Sequence, residues 1–228
     1  MRWPRLRQES VCWHPAEARI IYTPAHHAFG RNTVYNLDLN HDGSVDFFLS
    51  NDYRNQSGGT GADMRVNAPR GNGFAVSATQ GFALALRKGA NINGKRLFDS
   101  GFGLMGVVST STGGNVRYRG NWLHATNRYL GLKFSVAGKT HYGWARLTVR
   151  GTSDPAHFTA ILTGYAYETI PNKPIVAGKT KGPDEISFKE PDAGVTMPTR
   201  KPASLGLLAM GATGLSAWRR EEAVGTTR

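Results

Sequence analysis

The chain has 228 residues, 39% of them hydrophobic and 10% aromatic, with 28 glycines and a formal net charge of +12. That composition suits one mid-sized domain with tails, and plentiful Gly and aromatics without long runs of helix formers favour short strands joined by tight turns. The single cysteine, Cys12, excludes an intramolecular disulfide and any Cys-based zinc site. Basic residues come singly or in pairs, as at Arg87 and Lys88, Lys95 and Arg96, or Arg117 and Arg119, with the excess between residues 17 and 182. They read as a solvated basic surface, and no nucleic-acid partner is expected.

Residues 1–18 have the basic start of an export leader, and Ala16, Glu17 and Ala18 fit a small-x-small cleavage pattern. No apolar stretch of the usual 7–15 residues lies between them. The expectation is a leader remnant, with the start or reading frame wrong upstream of about Ala16.

Residues 19–178 read as an all-β domain. Apolar side chains alternate in "TVYNLDL" (Thr33, Tyr35, Leu37), "VDFFL" (Val45, Phe47, Leu49), "GFAVSA" (Phe74, Val76, Ala78) and "FALAL" (Phe82, Leu84, Leu86). Such alternation marks strands buried on one face. The stretches "NQSGGTGAD" (55–63) and "STSTGGN" (109–115) read as surface loops between them.

Between the first two runs lies "DLNHDGSVD". Asp38, Asn40 and Asp42 occupy positions 1, 3 and 5 of a cation loop, with Gly43 at 6, the Ser44 carbonyl at 7 and Asp46 at 9. Side-chain oxygens two residues apart converge when the chain curls, and Gly permits the sharp turn. Position 12 is Leu49 rather than Glu, so the expectation is a strand–loop–strand calcium site ending at Asp46. The competing reading is that Asp42 and Gly43 merely make a hairpin turn.

Further on, "RYLGLKFSV" and "HYGWARLTV" flank "AGKT" (137–140) and read as a hairpin with a four-residue loop. Pairing Val136 with His141 puts Phe134 opposite Gly143, Leu132 opposite Ala145 and Leu130 opposite Leu147 on one face. The other face carries Lys133, Tyr142 and Trp144, which either stack on a sugar ring or pack beneath a loop or second sheet. "HFTAILTGYAYE" (157–168) supplies another strand, and the expected architecture is an antiparallel β-sandwich, jelly-roll-like. "AGKT" recurs at 177–180, but neither copy has the Gly five residues before its Gly-Lys pair that a phosphate-binding loop requires. No catalytic residues are recognisable: Asp99, Asp154 and Glu168 have no acid/base spacing, and the seven His show no ligand pattern.

From residue 171 onwards prolines recur and periodicity fades, giving a linker over 179–201. The uncharged stretch that follows Pro202 ends at Trp218, Arg219 and Arg220. As a helix, 202–218 would span about 25 Å, just short of a bilayer core, with Trp218 at the interface and the arginines holding that end in the cytoplasm. Segment 202–221 is thus expected to be a short transmembrane-like helix, with 222–228 a tail.

"KPASLGLLAMGATGLSAWRRE" resembles the C-terminal sorting signal of PEP-CTERM proteins, in a variant without Pro-Glu-Pro. The body, through "IIYTP", "DLNHDGSVDF", "RYLGLKFSVAGKTHYGWARL" and "TGYAYETIPNKPI", is similar to uncharacterised β-rich bacterial proteins with such tails. The resemblance implies export to the cell envelope or beyond, transient anchoring by the C-terminus, and a membrane sorting peptidase of exosortase type as partner. The expected function is a non-enzymatic, calcium-stabilised β-sandwich binding an extracellular polysaccharide, an acidic one given the basic domain. The alternative is a jelly-roll enzyme acting on such a polymer, and the third reading a basic nucleic-acid-binding protein. Two facing carboxylates in a cleft would favour the enzyme, a flat aromatic face the binding module.

Overall fold

Alternating apolar and polar residues in short Gly-punctuated runs produce β-strands, and strands dominate this computed structural model, which describes residues 19–79 and 81–182. The expected leader (1–18), all but the start of the linker (179–201), the segment carrying Pro202, Trp218, Arg219 and Arg220, and the tail (222–228) lie outside the described residues. In chain order the strands are β1 (Ile20–Phe29), β2 (Thr33–Leu37), β3 (Phe47–Gln56), β4 (Gly59–Ala68), β5 (Gly73–Ala75), β6 (Asn91–Ile92) and β7 (Phe98–Asp99). There follow β8 (Gly101–Ser111), β9 (Val116–Gly120), β10 (Arg128–Val136), β11 (Lys139–Arg150), β12 (Thr159–Glu168) and β13 (Ile175–Val176), with one 3-10 turn at Pro155–His157.

The strands form an antiparallel six-stranded sheet in the order β1-β12-β11-β10-β5-β7 and an antiparallel five-stranded sheet in the order β2-β3-β4-β8-β9. One apolar core joins them. Leu37, Leu49, Met64, Val66 and Met105 from the five-stranded sheet pack with Phe74, Leu132, Phe134, Leu147 and Leu162 from the six-stranded one. Two sheets sharing one interior make the domain sandwich-like.

The six-stranded sheet is covered on its second face as well. Tyr129, Tyr142, Trp144 and Ala166 are buried with Leu86, Ile92, Ile175 and Ala177, which come from the two-stranded β6–β13 flap and its flanks. The chain from Pro171 to Gly178, where prolines begin to recur, is part of the packed domain; Ile175 and Ala177 are both buried.

Three expectations need correction. The β10–β11 hairpin closes over two residues, not four: Ala137 and Gly138 adopt φ of 48° and 75°, and Val136 pairs with Lys139. Two successive left-handed residues match the twist of the flanking strands better than a wider loop. Leu132 consequently faces Gly143 and Leu130 faces Ala145, two residues from the expected register. A slip of two preserves which side chains share a face, so the inward row was read correctly.

The second correction concerns "FALAL", which is not a sheet strand. It joins the sheets through the isolated bridges Val76–Ala83 and Leu86–Tyr129 and through single hydrogen bonds such as Ala83 N–H to Leu104 O at 2.9 Å, without a continuous ladder. The third concerns "NQSGGTGAD", most of which is strand, since β3 and β4 turn over Ser57 and Gly58 alone. Gly59 is required there: at φ 136°, a Cβ would lie 2.1 Å from the Thr110 carbonyl oxygen of the adjacent strand.

Candidate functional site

The loop 38–46 is the β2–β3 hairpin connection, closed by pairing of Leu37 with Phe47 and by Asp46 N–H donating to Leu37 O at 2.9 Å. Its alternation continues that of β2. Leu37 and Leu39 point into the core, leaving Asp38, Asn40 and Asp42 on the outer side. Leu39 sits so close to β11 that a Cβ on Gly143 would lie 2.5 Å from its Cδ2. The loop is thus anchored by an apolar side chain inserted where β11 has none.

Asp38 organises the curl. Its Oδ2 accepts from Gly43 N–H at 2.8 Å and its Oδ1 from Asp42 N–H at 3.3 Å, while His41 and Gly43 adopt left-handed φ of 59° and 88°. Asp42 Oδ1 accepts from Ser44 N–H and its Oδ2 from the Asn40 side-chain amide, each at 2.8 Å. The amide bond from Asn40 and the Ser44 N–H together hold the Asp42 carboxyl below its ordinary pKa.

Asp46 is the chemically tense member. Only 6% exposed, it accepts Leu39 N–H at 2.8 Å on Oδ2. Burial pushes its pKa up to about 6, against the stabilising Leu39 bond and with the Asp38 and Asp42 charges adding to the rise. Asn40 Oδ1 is buried without a hydrogen-bond partner. Against the loop lie Thr23, whose hydroxyl is 3.0 Å from His41 Nε2, and Tyr165, pushed up to about 12 chiefly by burial.

The structure therefore brings Asp38, Asn40, Asp42, Ser44 and Asp46 into one curled loop in the expected strand–loop–strand setting. Among the described residues, however, no three His, Cys, Asp or Glu side chains converge as a metal-holding group. The carboxylates bind backbone and amide N–H groups instead.

Tyr142, Trp144 and Lys133 do not form an open stacking face. Trp144 is fully buried and Tyr142 is 5% exposed; both pack beneath the β6–β13 flap, with Trp144 edge-on to Tyr129 at 5.2 Å. Lys133 Nζ lies 5.5 Å from the Phe98 ring centroid. Packing beneath a cover, the second of the two readings, is the one realised. The carboxylates considered for catalysis have structural partners. Asp154 caps the 3-10 turn through Ala156 N–H at 2.9 Å, Asp99 accepts from Ser100 N–H at 2.8 Å, and buried Glu168 accepts from Ile170 N–H at 3.1 Å.

A feature missed in the sequence is an open concavity of about 560 Å³ on the outer face of the five-stranded sheet, lined by residues that include Arg54, Gly61, Ser109, Asn115 and Arg117. The only usable signal was the pair Arg117 and Arg119, spaced to share a strand face. Their alignment with Arg54 depends on the registers of three strand pairs. No family model, curated protein or solved structure matches the chain.

Proposed function

We propose that the chain is an exported, non-enzymatic β-sandwich of the bacterial envelope, stabilised by calcium in loop 38–46 and binding an acidic extracellular polysaccharide. Jelly-roll-like connectivity belongs to the same proposal and rests on the spacing of the strands; a C-terminal anchoring helix and processing by an exosortase-type peptidase also belong to it and rest on the tail's resemblance to PEP-CTERM signals. The binding part rests on the basic charge concentrated in the domain.

The observation that carries the calcium reading is Asp46, a carboxylate buried beside two further carboxylates of the same loop, with the orphaned Asn40 oxygen nearby. Burying an ionised carboxylate without a cation is costly, and a hard divalent ion removes both that cost and the mutual repulsion. Asp38, Asn40, Asp42 and Asp46 would hold the ion through side chains and Ser44 through its carbonyl. Oxygen donors in a flexible loop suit calcium over magnesium. The ion's chemistry here is structural, pinning the β2–β3 connection.

Lacking a bidentate Glu at position 12, the site belongs with weak extracellular modules, with a dissociation constant on the order of 0.1–1 mM. At a hundredfold excess over that constant, mass action adds about 2.7 kcal/mol of stability. Scanning calorimetry of the full chain should therefore show a higher melting temperature in 10 mM calcium than in chelator, and Asp42→Ala should abolish the difference. An unchanged melting temperature in the wild-type protein would reduce the loop to a turn.

A further inference from the structure

The arginines of the five-stranded sheet are aligned by strand register. Arg54 pairs with Gly61, Gly61 with Ser109, and Ser109 with Arg117, one row across β3, β4, β8 and β9. The next row runs Asp52, Asp63, Val107 and Arg119. Both rows face away from the core, because Ala62 and Val108, on the alternate row, are buried within it. At about 4.8 Å between strands, Arg54 and Arg117 stand roughly 14 Å apart along the backbone row. Gly61 and Ser109 form the low floor between them.

The two ends of the row differ. Arg54 Nη1 is bound to Oδ2 of Asp63, which Arg65 Nη2 also holds at 2.6 Å, so Arg54 is fixed while its side chain remains 43% exposed. Fixing one guanidinium in advance lowers the ordering cost of any ligand it meets. Arg117 is exposed and, among the described residues, has no ion-pair partner. The rest of the concavity is Gln56, Gly58, Gly59, Thr60, Thr110, Ser111 and Asn115, without a single carboxylate or aromatic ring. Its volume of about 560 Å³ lies within the roughly 300–1,000 Å³ of small-ligand clefts.

We propose that this trough is where the acidic polysaccharide is held, and that it takes a uronate-bearing segment, whose carboxylate Arg117 and Arg54 receive while Ser109, Ser111 and Asn115 bind sugar hydroxyls. The inference deepens the binding part of the proposed function and rests on it. A guanidinium fork matches a planar carboxylate bidentately. Lack of an aromatic platform means that recognition here is by charge and hydrogen bonding rather than ring stacking. No step of catalysis is implied, because no carboxylate lines the trough.

The test is calorimetric titration of the full chain, at fixed calcium, with a hyaluronan hexasaccharide as the uronate probe and a dextran oligosaccharide as the neutral one. Hyaluronan should bind, dextran should not, and affinity should fall as salt rises. Losing one charge-assisted fork should weaken binding about tenfold in Arg117→Ala, and less in Arg117→Lys. Lys139→Ala, which removes the same charge from the tip of the other sheet's hairpin, should leave the affinity within about twofold. Hyaluronan binding that is unchanged in Arg117→Ala would move the site elsewhere while leaving an acidic-glycan function standing. Binding of dextran sulfate but not hyaluronan would overturn the carboxylate assignment. Equal affinity for duplex DNA would mark an unspecific basic surface and overturn the site. Failure of the wild-type chain to bind any acidic glycan would remove the trough and the reading beneath it together.

Discussion

At the scale of single residues, Asp46 carries the sharpest consequence. Its native pKa of about 6 lies above the ordinary aspartate value, so between roughly pH 4 and pH 6 the folded state binds more protons than the unfolded one. Stability from this group is therefore present at low pH and lost as pH rises through 6. The cost above that point is at most about 3 kcal/mol, from roughly two units at 1.36 kcal/mol each, and solvent screening reduces it. Asp42, held low, contributes in the opposite sense, so the clean comparison is against Asp46→Asn, which keeps an oxygen for Leu39 N–H but cannot ionise. In chelator the variant should melt higher than wild type at pH 7 and at the same temperature near pH 4. In calcium at pH 7 it should gain nothing, having lost a ligand. An Asp46→Asn protein less stable than wild type in chelator at pH 7 would show that the carboxylate is not strained. The spacing of Asp38, Asn40, Asp42 and Asp46 was legible in the sequence because it is local. Burial of Asp46 was not, because it comes with tertiary packing: Asp46 is closed in beside Leu39 N–H and the Asn72 amide, which reaches its carbonyl from a distant part of the chain.

At the scale of elements, the β10–β11 hairpin separates what alternation reveals from what it conceals. Period-two patterning placed Leu130, Leu132 and Phe134 on the core face, and all three are fully buried. It could not choose between registers two residues apart, since both bury the same side chains; the left-handed Ala137 and Gly138 decide. β8 was illegible for a related reason. Gly101, Gly103 and Gly106 thin its apolar signal, and Gly103 is small because the Phe74 ring occupies the place of its side chain, 2.2 Å from where a Cβ would stand. Facial placement in β10 is testable. Leu132→Asp buries an unpaired charge between the two sheets and should destabilise the domain by roughly 3 kcal/mol or more. Lys133→Asp, whose half-exposed side chain lies on the opposite face, should cost far less. Chemical denaturation midpoints that drop equally in the two variants would reverse the assignment of faces.

At the scale of the whole molecule, strand content and the two-sheet arrangement followed from alternation and turn chemistry, but the second covered face did not. Segments 87–92 and 175–177 show no strand period, because they lie over Tyr142 and Trp144 as a short flap and not as members of the main sheets. A sheet clothed on both faces explains why β10 and β11 lack a clean polar side, whereas the outer face of the five-stranded sheet carries Arg54, Arg117 and Arg119. Under the proposed function, ligand binding would fall to that one sheet and anchoring to the segment that follows Pro202. The described residues, within 19–182, by themselves supply two sheets and both apolar clusters. Deleting 202–228 should therefore leave the far-ultraviolet sheet signal and the melting temperature of the domain unchanged. In a host with the matching export and sorting machinery, the same deletion should move the protein from the membrane fraction to the soluble or secreted one, because the uncharged stretch before Arg219 and Arg220 would be gone. Loss of the sheet signal on truncation would make the segment part of the fold, and unchanged membrane retention would place the anchor elsewhere; either result would end its assignment as a sorting signal.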